Sequence, residues 1–428
     1  MSNKTPSNSD SKAAPNPPVV NALLASQEQK SVRDFLASYL LRVRAGDFGI
    51  LPIIIGLIGI AIFFQSQNQN FLTPQNFVNL ILQMSGLTII GFGLVFVLLL
   101  GEIDLSVGYV SGVGGVLVTV LLSNRFNVPW YLAISAALLA TLLIGMLHGF
   151  LITFFQLPSF IVTVAGLLAW NGVVLVLVGD GGTIRIEDPL VRNLAGTYLP
   201  AALAWILGIG LVVGYAVLKY LRLQGRKKLG LAITPIPIVV AQVALLAILV
   251  FVTVAVANAD VTERRVRGIP VIGALMIILM IVLTFVAENT RFGRYVLAVG
   301  GNKEAARRAG IRVERIRLYV FMLCSLMAGL GGIILASRLQ SVSASTGGGQ
   351  LLLNAIATAV IGGTSLFGGR GKVYTALLGA LVIASLESGL GLLNIPSSLQ
   401  YIITGIVLLL AVILDSISRR NQKRSGLA

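Results

Sequence analysis

Apolar runs recur along this chain from Ile50 to Leu414, broken by short polar stretches. A hydrocarbon core about 30 Å thick needs about 20 apolar residues per helical crossing. Runs of roughly that length fall near residues 49–65, 77–99, 107–123, 130–152, 158–179, 198–218, 233–257, 270–287, 317–336, 350–366, 373–393 and 398–414. They lack the alternation of barrel strands and are about twice as long, so the pattern predicts helices. The expected fold class is an all-α integral membrane protein, a polytopic helix bundle of about 12 transmembrane segments. Three segments are irregular. Only GEIDLSVG separates 77–99 from 107–123, and the short, glycine-rich 350–366 either spans or is re-entrant.

Composition strengthens this reading. Of the 428 residues, 56% are hydrophobic and 11% are charged, against about 25% charged in a soluble domain. The net charge of +16 would suggest nucleic acid in a soluble protein, but here the cations sit mainly in loops and tails. That placement orients a membrane chain. With the N-terminus in the cytoplasm and the segments alternating, the inside stretches are 1–48, 100–106, 153–157, 219–232, 288–316, 367–372 and the tail after Leu414. Of 32 Lys and Arg, seven then fall outside (Arg125, Arg185, Arg192, Arg264, Arg265, Arg267 and Arg338), 24 lie in the inside stretches, and Arg317 opens the segment 317–336 at its inner end. This asymmetry places both termini in the cytoplasm. Met1–Pro18, rich in Ser, Asn, Pro and Lys, reads as disordered. The first apolar run begins too late for a signal peptide and lacks a small-residue cleavage site, so it reads as an uncleaved helix. A single Cys324 and a single His148 exclude an intramolecular disulfide and a Cys/His metal site; both read as ordinary helix residues.

The chain divides into a cytoplasmic tail (1–48), an N-terminal transmembrane half (49–197), a helix pair joined by the basic loop LRLQGRKKLG (198–269), a C-terminal half (270–417) and a second tail (418–428). Removing the helix pair leaves the topology of the rest unchanged, so the pair reads as an insertion. LLLGEIDLSVGYVSG and VIGGTSLFGGRGKVYTA share an order of apolar helix, Gly-flanked polar turn and small-residue helix. They are either a repeat, common in transporters, or a chance likeness. The longest polar stretch between helices, 289–316, holds seven basic and two acidic residues, with Arg317 following. Within it Asn302 is placed to cap a short helix that Gly310 would end. Such a helix either docks on a partner or lies solvated beside anionic lipid.

Acidic groups cost a few kcal/mol in mid-bilayer, so each needs a reason. Glu102 and Asp104, with Ser106 and Gly108 beside them, form either a hinge or pathway element, or a structural cap in which Asp104 accepts from the next helix start. Glu387 lies inside an apolar run, as a contact for ligand hydroxyls or in a buried interhelical hydrogen bond. Asn171, Asn354, Thr358 and Gln400 are further polar candidates. The outside loop SVSASTGGGQ (Ser341 to Gln350) is either a docking site or a flexible connection. GGRGKV is not a phosphate loop, since Leu366 stands where a Gly is required and Val373 follows Lys372. Arg370 and Lys372 read as anchors of that turn on the inside. There is no nucleophile–base pair, no catalytic residue and no metal cluster in the sequence.

Three stretches carry a resemblance. FGRYVLAVGGNKEAARRAGI, GEIDLSVG and AIATAVIGGTSLFGGRGKV resemble hallmark segments of the permease subunits of bacterial ABC monosaccharide importers, the ribose/xylose type. The likeness covers about 75–180 and 270–417, and departs at Glu102, where the family usually has Gly. It implies a non-enzymatic, multi-pass permease of the bacterial cytoplasmic (inner) membrane, working as a homodimer. ATP and Mg would be used by a separate ATPase subunit, with no cofactor on this chain, and a periplasmic sugar-binding protein would deliver the ligand. Asn302, Glu304, Ala305, Ala306 and Gly310 would form the loop pressed into the ATPase. The helix pair is similar to one in the xylose permeases, which implies D-xylose; ribose, galactose, arabinose, a nucleoside or an autoinducer sugar stay open. A secondary transporter or channel is the rival class.

Overall fold

The computed structural model describes residues 49–231, 233–259 and 268–424, with scattered helical positions between 32 and 41. Met1–Pro18 and the cations Arg264, Arg265 and Arg267 lie outside the described residues. Each apolar run contains a helix. In chain order these are α1 (Leu51–Gln67), α2 (Pro74–Leu99), α3 (Val107–Leu122), α4 (Trp130–Phe154), α5 (Ser159–Val178), a short strand β1 (Thr183–Arg185) and the single-turn α6 (Pro189–Arg192). There follow α7 (Ala201–Lys228), α8 (Ile236–Ala257), α9 (Val271–Asn289), α10 (Arg291–Gly301), α11 (Lys303–Arg308), α12 (Val313–Leu339), β2 (Ser341–Ser343), α13 (Leu351–Ile361), α14 (Thr375–Leu392) and α15 (Ser397–Arg424). Among the described residues, eight helices are long and apolar enough to cross a bilayer, and four apolar ones are shorter. The chain is a polytopic, all-α membrane bundle.

Helix starts follow from local chemistry. Pro129, Pro158 and Pro270 sit immediately before α4, α5 and α9, where a missing N–H costs nothing. Thr73 accepts from Asn76 N–H at the start of α2. The 350–366 segment yields only an eleven-residue helix, α13; at 1.5 Å per residue it is about 16 Å long and cannot cross the bilayer core unaided.

By density of contact the chain forms two units. The larger comprises Ile50–Gly208 and Phe251–Val412. Its centre is α12, which packs on α4, α2 and α3. In lipid there is no hydrophobic drive between apolar helices, so close backbone approach supplies the attraction. The Gly145 and Gly149 pair of α4 lies directly on the α12 backbone at Phe321–Met322 and Leu318. On another face of α12, a Cβ at Gly332 would overlap the Ser111 carbonyl of α3. The loops collect at two ends. At one, Gly101 lies against Phe367 and Gly368, and Gly369 N–H donates to Leu99 O at 2.9 Å, so the two similar Gly-flanked turns touch. At the other, β1 pairs antiparallel with β2, Thr183 opposite Ser343, and Leu199 N–H donates to Ile269 O at 2.9 Å.

The smaller unit comprises Met1–Gly49, Ile209–Val250 and Ile413–Ala428. Within it Lys219 Nζ of α7 donates to Gln242 Oε1 of α8 at 2.9 Å. Only 6% of the apolar window of either helix is fully buried, against 83% in α2, so α7 and α8 leave much of their surface uncovered.

Gly332→Leu should therefore destabilise the bundle by roughly 1–3 kcal/mol or more, the cost of overpacking. Gly210→Ala on α7, which meets nothing within 4 Å, should be neutral. Thermal unfolding of the two variants in detergent checks the contrast.

Candidate functional site

The polar stretch between α9 and α12 folds into two helices. The second, α11, is bounded as its residues require. Asn302 Oδ1 accepts from Ala305 N–H at 2.9 Å, and Gly310 leaves the helix at φ +82°, a conformation that favours glycine. Of the candidates on this helix, Ala306 is buried while Asn302, Glu304, Ala305 and Gly310 are exposed. A helix this short does not stand alone in water. Arg307 ties it down, to Glu304 at 2.9 Å and to Glu314 at the start of α12 at 3.1 Å. These pairs are exposed, and exposed pairs contribute little individually. The Glu314 hydrogen bond, then the Glu304 charge, raises the Arg307 pKa further, so the residue stays cationic. The first helix, α10, lies outside the single short helix that the sequence predicts for this stretch. Phe292, Val296 and Val299 sit at i, i+4 and i+7 and turn inward, Phe292 stacking on Phe96 with ring centroids 6.2 Å apart. That spacing is an amphipathic signature.

Beneath α11 lies a groove of about 500 Å³. Its walls are Lys303 and Arg307 on one side and the α4–α5 connection on the other, with Glu102 and Arg317 between. Glu102 Oε1 meets Arg317 Nη2 at 2.6 Å, the side chains 15% and 10% exposed. A largely desolvated pair of this kind is weak evidence for net stability, but losing one partner leaves the other charge uncompensated, at a cost of roughly 3–5 kcal/mol when buried.

Two residues on, Asp104 is wholly buried. Its Oδ1 accepts from Ser106 N–H at 2.9 Å and from Ser106 Oγ at 2.6 Å. The cap therefore closes on the residue before α3 and not on the first turn of that helix. His148 of α4 places Nδ1 3.4 Å from Ser106 Oγ, and Trp170 Nε1–H of α5 donates to His148 Nε2 at 3.0 Å. Since Nε2 accepts, a neutral ring carries its proton on Nδ1. The donors then run in one direction, Trp170 to His148 to Ser106 to Asp104, and end on the carboxylate. Gly166 of α5 makes room, since a Cβ there would strike the imidazole. His148 thus belongs to the buried polar chain, and Cys324 lies beside Asp104. Sequence reading took both for ordinary helix residues; the available signal was an ionisable residue in an apolar run.

A second polar group forms on α13 and α14. Asn354 Nδ2 donates to Glu387 Oε1 at 2.6 Å, and Arg338 acts on Glu387 electrostatically. Thr358, one turn below Asn354, is fully buried and packs its methyl where a Cβ at Gly91 would lie. Gly108 brings the start of α3 against Leu352 and Gly347, so α3 and α13 approach through their N-terminal turns. Gln400 donates to Ile395 O at 2.8 Å and caps the α14–α15 turn; Asn171 is half-buried on α5 with no hydrogen bond to either polar group. Lys372 Nζ lies 5.5 Å from the Tyr374 ring centroid, anchoring its turn. Ser341–Gln350 is not a free connection: its start is β2, and Thr346 and Gly347 pack on Gly112. Among the described residues no His, Cys, Asp and Glu cluster is arranged to hold a metal.

Residues 76–412 match the family described as branched-chain amino acid transport system / permease component; the chain belongs to this family of membrane transport permeases. It is similar to the xylose transport system permease protein XylH of Escherichia coli K12, 37% identical over 87% of this chain and 92% of the relative. It is also similar to the XylH of Haemophilus influenzae, 34% identical over 86% of this chain and 97% of the relative. The ribose import permease protein RbsC of Bacillus subtilis is 32% identical over 84% of this chain and 91% of the relative. No solved structure matches the chain. A member of this family is a multi-pass transport component and not an enzyme.

Ser106→Ala removes one donor to a buried carboxylate and should destabilise the bundle by about 1–3 kcal/mol. Trp170→Phe, which leaves Asp104 itself bonded, should cost less. Comparing the two melting temperatures checks that the carboxylate is the end of the chain that matters.

Proposed function

We propose that this chain is the membrane permease subunit of an ATP-binding-cassette importer of the bacterial cytoplasmic membrane, carrying a monosaccharide, D-xylose, inward. The observation that carries the reading is α11: a capped, exposed helix bearing EAARRAG, attached by Arg307 to the start of the central helix α12. A separate ATPase subunit, using ATP and Mg, grips Asn302, Glu304, Ala305, Ala306 and Gly310 from the cytoplasm. Two copies of the chain form the pathway, and a periplasmic sugar-binding protein delivers the ligand. Nucleotide binding favours one arrangement of α11 over another, and the bundle follows because a ligand shifts an equilibrium only through differential contacts.

Further supports fit the same arrangement. The stretches 288–316 and 367–372 carry cations, and residues of 100–106, 153–157 and 288–316 line one groove. The charge asymmetry supports a basic end in the cytoplasm, with both termini on that side and about 12 crossings. The xylose assignment rests on the names of the relatives and on the helix pair 198–269. Asn354, Thr358 and Glu387 would meet the sugar or set a hinge along the way, together with Asp104, Ser106 and Gly108.

Scrambling 304–310 should abolish co-purification with the ATPase subunit and xylose uptake, while the bundle itself still melts cooperatively. Normal uptake by the scrambled chain would remove the coupling role. Uptake that collapses with an uncoupler while ATP is held constant would instead identify a secondary transporter. Competition of labelled xylose uptake by ribose, arabinose and galactose ranks the sugars; a tenfold or larger preference for xylose is expected.

A further inference from the structure

We propose that Glu102 and Arg317 are positioning residues that carry the movement of α11 to the buried Asp104 turn, and so to the start of α3. The proposal rests on the ATP-coupled reading above. Arg307 of α11 binds Glu314, and Arg317 follows one turn later on the same helix, α12. The attachment of α11 and the guanidinium of Arg317 are therefore fixed to one rigid element. Arg317 reaches across to Glu102 at 2.6 Å, and its Nε has no hydrogen-bond partner among the described residues. Both side chains are largely withdrawn from solvent, so salt screens this pair less than it screens the exposed pairs of Arg307.

What Glu102 is attached to makes the pair a link. Ile103, the next residue, donates from its N–H to Ser159 Oγ at 3.4 Å and accepts at its carbonyl from Thr163 Oγ1 at 3.3 Å, both on α5. Asp104 then bonds Ser106, the residue that precedes α3. A displacement of the α12 start is thus delivered to a turn whose next residues are tied to α5 and α3. The exposed pairs of Arg307 hold α11 to α12 but do not reach this turn. Glu102 is the one side chain in the groove that joins the turn to α12 by an ion pair among the described residues. The groove of about 500 Å³ beside it separates α11 from the α4–α5 connection, so a movement of α11 reaches the turn through α12 and this ion pair.

The test uses the complete transporter, this chain with its ATPase subunits and binding protein, in proteoliposomes. Trp130→Phe and Trp205→Phe leave Trp170 as the sole tryptophan of this chain, and Trp170 reads the His148–Ser106–Asp104 turn. In Glu102→Gln, xylose taken up per ATP hydrolysed should fall about tenfold, within the ordinary span of coupling between sites. The Trp170 emission change of the parent on adding ATP with vanadate should be lost as well. The exchanged pair Glu102→Arg with Arg317→Glu should restore most of both. The proposal is overturned if Glu102→Gln keeps the parental ratio and emission change. It is equally overturned if the exchanged pair, with a parental melting temperature, stays as defective as Glu102→Gln, or if Glu102→Gln simply no longer holds the ATPase. A parent that couples, beside a variant that couples equally, sinks the ion pair alone; a parent that never binds the ATPase sinks the ATP-coupled reading itself.

Discussion

Close contact between helix backbones around α12 is the constraint on which the rest of this structure depends. Lipid is as apolar as leucine, so a greasy helix gains little by leaving lipid for another greasy helix. Attraction must come from packing at short range, and glycine permits it. Gly145 and Gly149 let α4 lie on the backbone of α12, and Gly332 lets α12 lie on that of α3. These contacts explain why α12 touches α2, α3 and α4 together and why the buried ionisable groups sit on the elements around it.

The same packing makes room for polar groups that hydrocarbon would reject. Asp104 is buried because Ser106, His148 and Trp170 form a chain of hydrogen bonds that ends on it. Glu387 meets Asn354 and lies under the influence of Arg338. The first chain holds the turn between α2 and α3 in one geometry. The second joins α13 to α14 across the part of the bundle where α13 is too short to cross alone. Both are interhelical hydrogen-bond networks, each worth about 1 kcal/mol per bond in a membrane, enough to select a conformation without locking it.

Much of this was legible in the chain itself. The apolar runs located the helices because each must satisfy its own backbone hydrogen bonds in lipid. Asn302 and Gly310 marked the ends of α11 because capping and positive φ are local demands. The small residues of Ser341–Gln350 suggest a loose loop, yet the loop is held by β1, a partner about 160 residues earlier in the chain that local composition cannot reveal. In helix α10 the basic Arg291 and Arg294 mask the i, i+4, i+7 pattern of Phe292, Val296 and Val299.

The sequence by itself determined a basic-faced, many-helix membrane protein with a capped polar helix between α10 and α12, because hydropathy, charge asymmetry and capping act over a few residues at a time. Only the tertiary structure decided that Glu102 would find Arg317, that His148 would stand between Trp170 and Ser106, and that Asn354 would meet Glu387. Each of those partners lies tens or hundreds of residues away. Which of them meet is set by how far glycine lets neighbouring helices approach, a property of the packed bundle and not of any one segment.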